Sequence, residues 1–259
     1  MEKFISQLSP NELEAISRGD YTMDSPLGNK GNAGAMGGVL KSLRDKGVPP
    51  IITTDGPSGI RIGACCSLLP IGTSLSAMWN TDLAQRVYEK VGGEMIVKGS
   101  DILLAPGMNI HRSPLCGRNF EYYSEDPVVT GLMGAAAVKG IQTCGGSACP
   151  KHYACNNQEV NRTGNDSRLS ERALREIYLK GFEICIKESK PECVMTSYNK
   201  INGELSAHRY DLCTTIPRVE WGFDGYVVSD WGAVNNRVDA LKAGMDLEMP
   251  GNNGANDQL

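Results

Sequence analysis

Short apolar segments that favour β-strands alternate with helical segments along this chain of 259 residues, and this alternation constrains the fold more than any other feature. Six segments have the composition of strands, at residues 51–55, 101–106, 147–153, 193–198, 226–228 and 246–251. A repeated strand–helix order is typical of a parallel α/β fold, and the chain length is close to that of one eight-stranded barrel. We therefore predict an α/β fold of the (β/α)8 type, a TIM barrel.

Six strands are fewer than the eight that a complete barrel contains. The segment Leu68-Leu-Pro-Ile71 is a candidate for a seventh strand. We expect that the barrel is irregular or that part of it lies beyond Leu259. The polar end from Gly251 to Leu259 has the composition of a linker or a cut rather than of the end of a domain.

The intervening segments predict helices at residues 3–18, 80–99, 127–142, 170–189 and 235–244. Asn80 and Ser170 are suitable N-caps for two of them. The glycine-rich segment from Gly28 to Gly38 matches neither the phosphate-binding nor the dinucleotide-binding pattern, and we interpret it as a flexible surface loop. The prediction is one barrel domain over residues 1–259, in which residues 1–50 form a leading helix and this loop.

Composition excludes several classes of protein. The net charge of −4 gives no basic surface for nucleic acid, and no apolar run approaches the ~20 residues that span a bilayer. The amino terminus lacks the basic start and apolar core of a signal peptide. Nine cysteines without any C-x-x-C pair favour reduced, mostly buried thiols over zinc ligands or disulfides. We expect a cytoplasmic protein without a metal or cofactor.

Polar side chains stand at the ends of the predicted strands. They are Asp55, Lys151, His152, Tyr198 and Asp230. In a barrel of parallel strands these ends meet at one face, where active sites form. A pocket of mixed charge with aromatic groups suits a hydroxyl-rich ligand, because each hydroxyl both donates and accepts hydrogen bonds.

Asp230 is the most informative of these residues. It ends the apolar run of the octapeptide GYVVSDWG, at residues 225–232, and a carboxylate at the end of a buried strand is costly unless it is paired or functional. Its alternative interpretation is an N-cap of the following helix. Lys151 and His152 have the alternative of a surface pair, and Tyr198 that of a core residue with a satisfied hydroxyl.

A long polar connection follows the second predicted strand and carries Arg112, Arg118, Glu121, Glu125 and Asp126. So many charges in one connection favour a binding loop. The alternative is a solvated acidic loop in which Asp126 caps the next helix.

Five blocks resemble glycoside hydrolase family 3 and its β-glucosidase branch, and the resemblance covers the chain from about Thr53 to Gly251. They occur in that family's order and are TTDGPSGIR, APGMNIHRSPLCGRNFEYYSEDP, KHYACNNQEVNR, MTSYNKINGE and GYVVSDWGA. The resemblance implies that Asp230 is a nucleophile that forms a covalent glycosyl-enzyme, and that Trp231 forms an aromatic wall near the leaving group. It further implies a set of residues that bind the hydroxyls of the sugar in subsite −1, namely Asp55, Arg61, Arg118, Lys151, His152, Arg162 and Tyr198.

One departure from the family concerns the general acid. The family's usual acid/base glutamate lies on a second, α/β-sandwich domain, which this sequence does not contain. The N-acetylglucosaminidase branch uses a histidine in a glycine-rich loop after Lys-His, whereas here Tyr153-Ala-Cys-Asn-Asn157 follows. We expect the barrel of a longer or split enzyme, whose other domain could precede Met1 or follow Leu259.

The resemblance therefore implies a retaining, exo-acting glycoside hydrolase that releases β-D-glucose from β-glucosides. Its expected partners are a small or oligomeric β-glycoside and a complementary domain or chain that supplies the acid/base, with no nucleic acid and no membrane. The alternatives are a β-xylosidase or α-L-arabinofuranosidase of the same branch, and a non-catalytic barrel that only binds sugar.

Overall fold

The computed structural model describes residues 1–251, so the polar end predicted as a linker or cut lies, from residue 252 onward, outside the described residues. Its strands are β1 Gly34–Gly37, β2 Pro50–Asp55, β3 Ile102–Leu104, β4 Ser147–Ala148, β5 Asp166–Ser167, β6 Cys193–Met195, β7 Lys200–Ile201, β8 Glu204–Leu205 and β9 Tyr226–Val228. Its α-helices are α1 Glu2–Ile5, α2 Pro10–Ile16, α3 Lys41–Asp45, α4 Gly72–Ser76, α5 Thr81–Lys98, α6 Pro127–Thr143, α7 Glu171–Ala173, α8 Lys180–Ser189 and α9 Arg237–Ala243.

The central strands pair mostly in parallel. β2, β3 and β4 are parallel neighbours, as are β6 and β9, whereas β1 runs antiparallel to β2. Two single parallel bridges extend this pairing, from Tyr153 to Thr196 and from Val228 to Leu247. The short strands β5, β7 and β8 form a separate small sheet.

The amino-terminal segment around Gly19 lies between the last paired segment and β1. The Gly19 amide donates to the carbonyl of Glu248 at 2.8 Å, and the Asp20 amide donates to the carbonyl of Ala35 at 2.8 Å. Backbone hydrogen bonds therefore pass from segment to segment around a ring. The TIM-barrel-type fold is confirmed, and its irregularity lies in the antiparallel β1 and the very short strands.

Helices α5, α6 and α8 pack side by side outside the parallel strands. Helix α6 is rich in alanine and glycine and is buried along most of its length. Gly140 shows why small residues are needed there, because a Cβ at this position would lie 2.4 Å from the carbonyl oxygen of Gln85 in α5. No described helix is both long and apolar enough to cross a bilayer.

The single helix predicted over residues 3–18 is wrong. Ser9 accepts a hydrogen bond from the Glu12 amide as an N-cap, and Pro10 begins α2, so the chain forms two short helices instead. Leu13 and Ile16 in this segment are 44% and 37% exposed, so they do not form part of a buried apolar face.

Two predictions about loops and strands are also wrong. The glycine-rich segment, predicted as a flexible loop, contains the barrel strand β1. Its glycines permit close backbone approach, since a Cβ on Gly38 would lie 2.3 Å from the carbonyl oxygen of Val48. Conversely, the candidate strand Leu68–Ile71 is irregular, and Leu68 is 87% exposed.

The other four predicted helices, at residues 80–99, 127–142, 170–189 and 235–244, occur close to their predicted bounds, whereas α3 and α4 were not predicted. Asn80 caps α5, and the helix predicted from Ser170 is divided by a π-helical turn at Leu174–Tyr178 between α7 and α8. The predicted strand at residues 147–153 is regular only over β4. The π-helical segment Asp211–Glu220 has no counterpart in the sequence predictions.

A buried ion-pair network ties the end of the ring to its beginning. The Arg237 side chain in α9 has no exposed surface, and its Nε donates to Glu248 Oε2 at 2.6 Å. A guanidinium Nη of Arg237 also donates to Glu14 in α2. This arginine therefore neutralises carboxylates from two separate elements that meet beside Gly19.

We expect Arg237→Ala to lower the free energy of unfolding by about 3–5 kcal/mol, because it leaves the buried Glu248 carboxylate without this cation. Chemical denaturation measures the effect. The matched control is Arg172→Ala, which removes an exposed pair with Glu176 and should cost less than about 0.5 kcal/mol. Similar losses in the two variants would contradict a special role of the buried network.

Candidate active site

A cavity of about 450 Å³ opens at the carboxyl ends of the parallel strands. All nine residues proposed from the sequence line it, although they come from the ends of five strands and the connections that follow them. They are Asp55, Arg61, Arg118, Lys151, His152, Arg162, Tyr198, Asp230 and Trp231. The convergence expected from a barrel therefore occurs.

Asp55, at the end of β2, is a paired carboxylate. Lys151 Nζ donates to Asp55 Oδ1 at 2.6 Å, and an Arg61 Nη lies 3.3 Å from Oδ2. Burial acts to raise the pKa of Asp55, but the Lys151 charge and hydrogen bond outweigh it, and the pKa is lowered. Asp55 is thus an ionised acceptor, suited to a ligand hydroxyl.

Asp230, after β9, lies in a different environment. It is 7% exposed, its Oδ1 accepts from the Trp231 amide at 2.7 Å, and its Oδ2 has no hydrogen-bond partner among the described residues. Burial raises the pKa of Asp230, and the more distant charges of Lys151 and Arg118 offset this only in part. A buried carboxylate with one unpaired oxygen is unusual and is typical of functional sites.

The N-cap interpretation of Asp230 is wrong. Helix α9 begins at Arg237, and its N-cap is Asn236, whose side chain accepts from the Asp239 amide. The Asp230 carboxylate instead faces the cavity.

The surface-pair interpretation of Lys151 and His152 is also wrong, since they are 3% and 1% exposed. Burial, followed by the charges of Arg118 and Lys151, holds the pKa of His152 well below its usual value. The imidazole is therefore neutral at pH 7, and its 3.7 Å approach to Asp230 Oδ2 is not an ion pair.

Tyr198 and Arg162 form one side of the cavity. The Arg162 guanidinium lies over the Tyr198 ring at 4.3 Å, and the Tyr198 hydroxyl donates to the carbonyl of Trp231 at 2.8 Å. The hydroxyl is satisfied, as the core interpretation assumed, yet the ring lines the cavity. Trp231 is fixed in turn because its indole Nε1 donates to the carbonyl of Ala33 at 2.6 Å.

The polar connection between β3 and α6 is divided between two roles. Arg118 pairs with Glu121, and both side chains are largely buried at the cavity wall. Asp126 caps α6 by accepting from the Val128 and Val129 amides, as the alternative proposed. Glu125 is exposed and does not line the cavity.

The cavity therefore combines cations and anions without a large excess of either. Its charged residues are Asp55, Glu121 and Asp230 against Arg61, Arg118, Lys151 and Arg162. Such a surface favours a neutral ligand with many hydroxyls over a strongly charged one. Within residues 1–251, no group of three or more His, Cys, Asp or Glu side chains is arranged to hold a metal ion.

Residues 36–257 match the family described as the glycosyl hydrolase family 3 N-terminal domain. This chain belongs to glycosyl hydrolase family 3. The resemblance found in the sequence is thereby confirmed.

Relatives of known name agree with this membership. A β-glucosidase from Ruminococcus albus is 49% identical over 92% of this chain, and an exo-α-(1→6)-L-arabinopyranosidase from Bifidobacterium longum is 43% identical over 82%. The structure of β-glucosidase 3B from Thermotoga neapolitana in complex with glucose superposes with a TM-score of 0.92 and 43% identity over 98% of this chain. The chain spans only 25%, 30% and 37% of these three proteins, respectively.

Several cavity residues of this family 3 domain were missed by the sequence analysis. They are Met23, Gly31, Asn32, Ala33, Leu104, Phe120 and Met195. Gly31, Asn32 and Ala33 belong to the segment from Gly28 to Gly38 that was interpreted as a surface loop. Leu104 and Met195 lie at the ends of β3 and β6, so the same strand-end argument that identified Asp55 could have found them.

The opposite pKa shifts of the two aspartates predict opposite effects on stability. The raised pKa of Asp230 means that its ionised form opposes folding once the pH exceeds that pKa, so Asp230→Asn should raise the Tm at pH 7. The lowered pKa of Asp55 means that its charge stabilises the fold above its ordinary pKa, so Asp55→Asn should lower the Tm.

Calorimetry from pH 7 towards acid tests this pair of variants. The gain in Asp230→Asn should shrink as the pH falls through the raised pKa of Asp230. The loss in Asp55→Asn should shrink only at lower pH, as the Asp55 carboxylate itself becomes protonated. Shifts of the same sign at pH 7 would contradict the contrast between the two sites.

Proposed function

We propose that this chain is the nucleophile-bearing, sugar-binding barrel of a retaining, exo-acting β-glucosidase that releases β-D-glucose from β-glucosides. The observation that carries the proposal is the unpaired oxygen of the buried Asp230, in a cavity whose two other carboxylates, Asp55 and Glu121, are each held by a cation. The names of the relatives supply the substrate class.

In the proposed first step, Asp230 Oδ2 attacks the anomeric carbon and forms a bond to it. The bond from that carbon to the leaving oxygen breaks, and the leaving oxygen keeps the electron pair and takes a proton from a general acid. In the second step a water oxygen attacks the same carbon and gives a proton to the conjugate base of that acid, while the bond to Asp230 breaks and its electron pair returns to the carboxylate. Two inversions give net retention.

The charged residues around Asp230 would position the sugar. Asp55 accepts, and Lys151 and Arg118 donate, so together they can hold hydroxyls at different ring positions. The positive charges of Lys151 and Arg118 also favour the ionised form of Asp230, which burial alone would disfavour.

The cavity does not offer a good proton donor in residues 1–251. Lys151 lowers the pKa of Asp55, Glu121 is occupied by its ion pair with Arg118, and His152 is neutral with a pKa well below its usual value. We therefore propose that the acid/base comes from a complementary α/β-sandwich domain or chain. The much greater length of the relatives supports this.

A second candidate function is the hydrolysis of α-L-arabinopyranosides, which the Bifidobacterium longum relative favours. An α-L-arabinopyranoside lacks the exocyclic CH2OH of a β-glucoside and has the opposite configuration at C4, so the two substrates test whether the cavity recognises these two features together. Comparing kcat/KM on the two nitrophenyl glycosides decides between them. A purely sugar-binding barrel is disfavoured, because binding alone does not need the uncompensated carboxylate of Asp230.

We expect Asp230→Asn to lower turnover of nitrophenyl β-glucoside by several orders of magnitude, because an amide is a poor nucleophile. The matched control is Asp224→Asn, an exposed aspartate just before the same strand, which should keep the wild-type rate. A 2-deoxy-2-fluoro-glucoside should label Asp230, as peptide mass spectrometry can show. Labelling of another residue, or initial release of the α-anomer in proton NMR, would contradict the mechanism.

The missing acid predicts a strong dependence on the leaving group. A nitrophenolate departs without protonation, whereas the sugar alcohol of cellobiose needs general acid catalysis worth ~10²–10⁴-fold. The 259-residue chain should slowly cleave nitrophenyl glucoside, accumulate a glycosyl-enzyme and barely act on cellobiose. Azide should accelerate breakdown of that intermediate, because it needs no base. Efficient cellobiose cleavage by the purified chain would instead indicate an acid within the barrel, such as Glu121.

A further inference from the structure

The buried His152 imidazole lines the cavity, and both the backbone and the ring of this residue form hydrogen bonds. Its backbone amide donates to Asn109 Oδ1 at 2.9 Å, and its carbonyl accepts from Asn109 Nδ2 at 2.8 Å. Because a backbone amide only donates and a carbonyl only accepts, these two contacts fix which atom of the Asn109 side chain is oxygen.

A second asparagine fixes the role of Tyr122. Asn156 Nδ2 lies 3.1 Å from Glu159 Oε1, and a carboxylate oxygen accepts, so this atom is the amide nitrogen. The same nitrogen lies 3.2 Å from the Tyr122 hydroxyl oxygen, to which its other proton is donated. Tyr122 therefore accepts from Asn156, and its own hydroxyl proton needs a different acceptor.

His152 Nδ1 is the acceptor that the structure offers, at 3.2 Å from the Tyr122 oxygen. Tyr122 and His152 are both buried, so water does not readily replace this bond. A neutral imidazole that accepts at Nδ1 carries its single proton on Nε2. Nε2 lies 3.7 Å from the unpaired Oδ2 of Asp230.

The opposite tautomer satisfies fewer groups. A proton on Nδ1 could point to Asn109 Oδ1 at 3.3 Å, but that oxygen already accepts from the His152 amide. The Tyr122 proton would then lose its acceptor in the interior, and a lone pair on Nε2 would face the Asp230 carboxylate. Both consequences are unfavourable at a buried site.

We propose that Tyr122 and Asn156 are positioning residues, which hold the His152 imidazole in the tautomer that carries its proton on Nε2, the ring nitrogen 3.7 Å from the Asp230 oxygen that is to react. The inference rests on the proposed function only in giving Asp230 a reactive oxygen. In that role, the Nε2 proton stabilises negative charge on Oδ2, or it forms a hydrogen bond to the oxygen of a sugar hydroxyl placed between the two groups. The chain of hydrogen bonds that fixes the tautomer begins at Glu159 and passes through Asn156 and Tyr122 to His152.

Long-range proton–nitrogen NMR of the uniformly ¹⁵N-labelled chain tests the tautomer directly. The sequence contains three histidines, so His111→Gln and His208→Gln assign the signals of His152. At neutral pH the wild-type spectrum should show a protonated, pyrrole-type Nε2 and an unprotonated, pyridine-type Nδ1. The opposite pattern in the wild type would overturn the proposal whether or not any variant folds.

Tyr122→Phe removes the donor to Nδ1 and should shift His152 towards the Nδ1-protonated form. The matched control is Tyr123→Phe, which removes a buried hydroxyl bonded to Tyr88 and should leave the His152 pattern unchanged. An unaltered pattern in a folded Tyr122→Phe would overturn the role of Tyr122.

The kinetic counterpart is a roughly tenfold loss of kcat/KM on nitrophenyl β-glucoside in Tyr122→Phe, as expected for one lost hydrogen bond. A full wild-type rate in a variant whose tautomer has changed would contradict the positioning role. An inactive wild-type chain would count against the proposed function instead, and the nitrogen spectrum would still decide the tautomer.

Discussion

Parallel backbone pairing is the constraint on which the site depends. Because β2, β4, β6 and β9 run in the same direction, the residues that follow them emerge at one end of the ring and meet in one cavity. Asp55, Lys151 and Asp230 are 175 residues apart at their extremes, yet they line the same space. The buried Arg237 network sustains this arrangement by joining the last segment to the first.

The sequence indicated those parts of the fold in which side chains decide the structure. Apolar and β-branched runs identified β2, β3, β6 and β9, and capping residues such as Asn80 marked helix starts. The prediction from sequence failed where the close approach of two backbone segments determines the structure. β1 consists mostly of glycine and small residues, and its strand conformation arises from pairing with β2, a contact that no local pattern encodes.

The same distinction holds for the site. Residues at strand ends could be placed because strand direction alone brings them together, and the nine proposed residues do converge. Asn109 and Tyr122 could not be placed, because they lie in a long irregular connection whose path back under His152 depends on individual hydrogen bonds. Periodicity carries no information about such a path.

The pKa values of two aspartates in one cavity shift in opposite directions because a single lysine forms an ion pair with only one of them. Lys151 lies 2.6 Å from Asp55 and lowers its pKa, whereas Asp230 receives only the more distant part of that charge and its pKa is raised by burial. The uncompensated oxygen of Asp230 disfavours the folded state at neutral pH, and it is the atom that we propose as the nucleophile. Functional sites commonly lower the stability of a protein in this way. Here this cost is confined to one oxygen, because Asp55 and Glu121 are each paired with a cation, and those same pairs hold Lys151 and Arg118 in place.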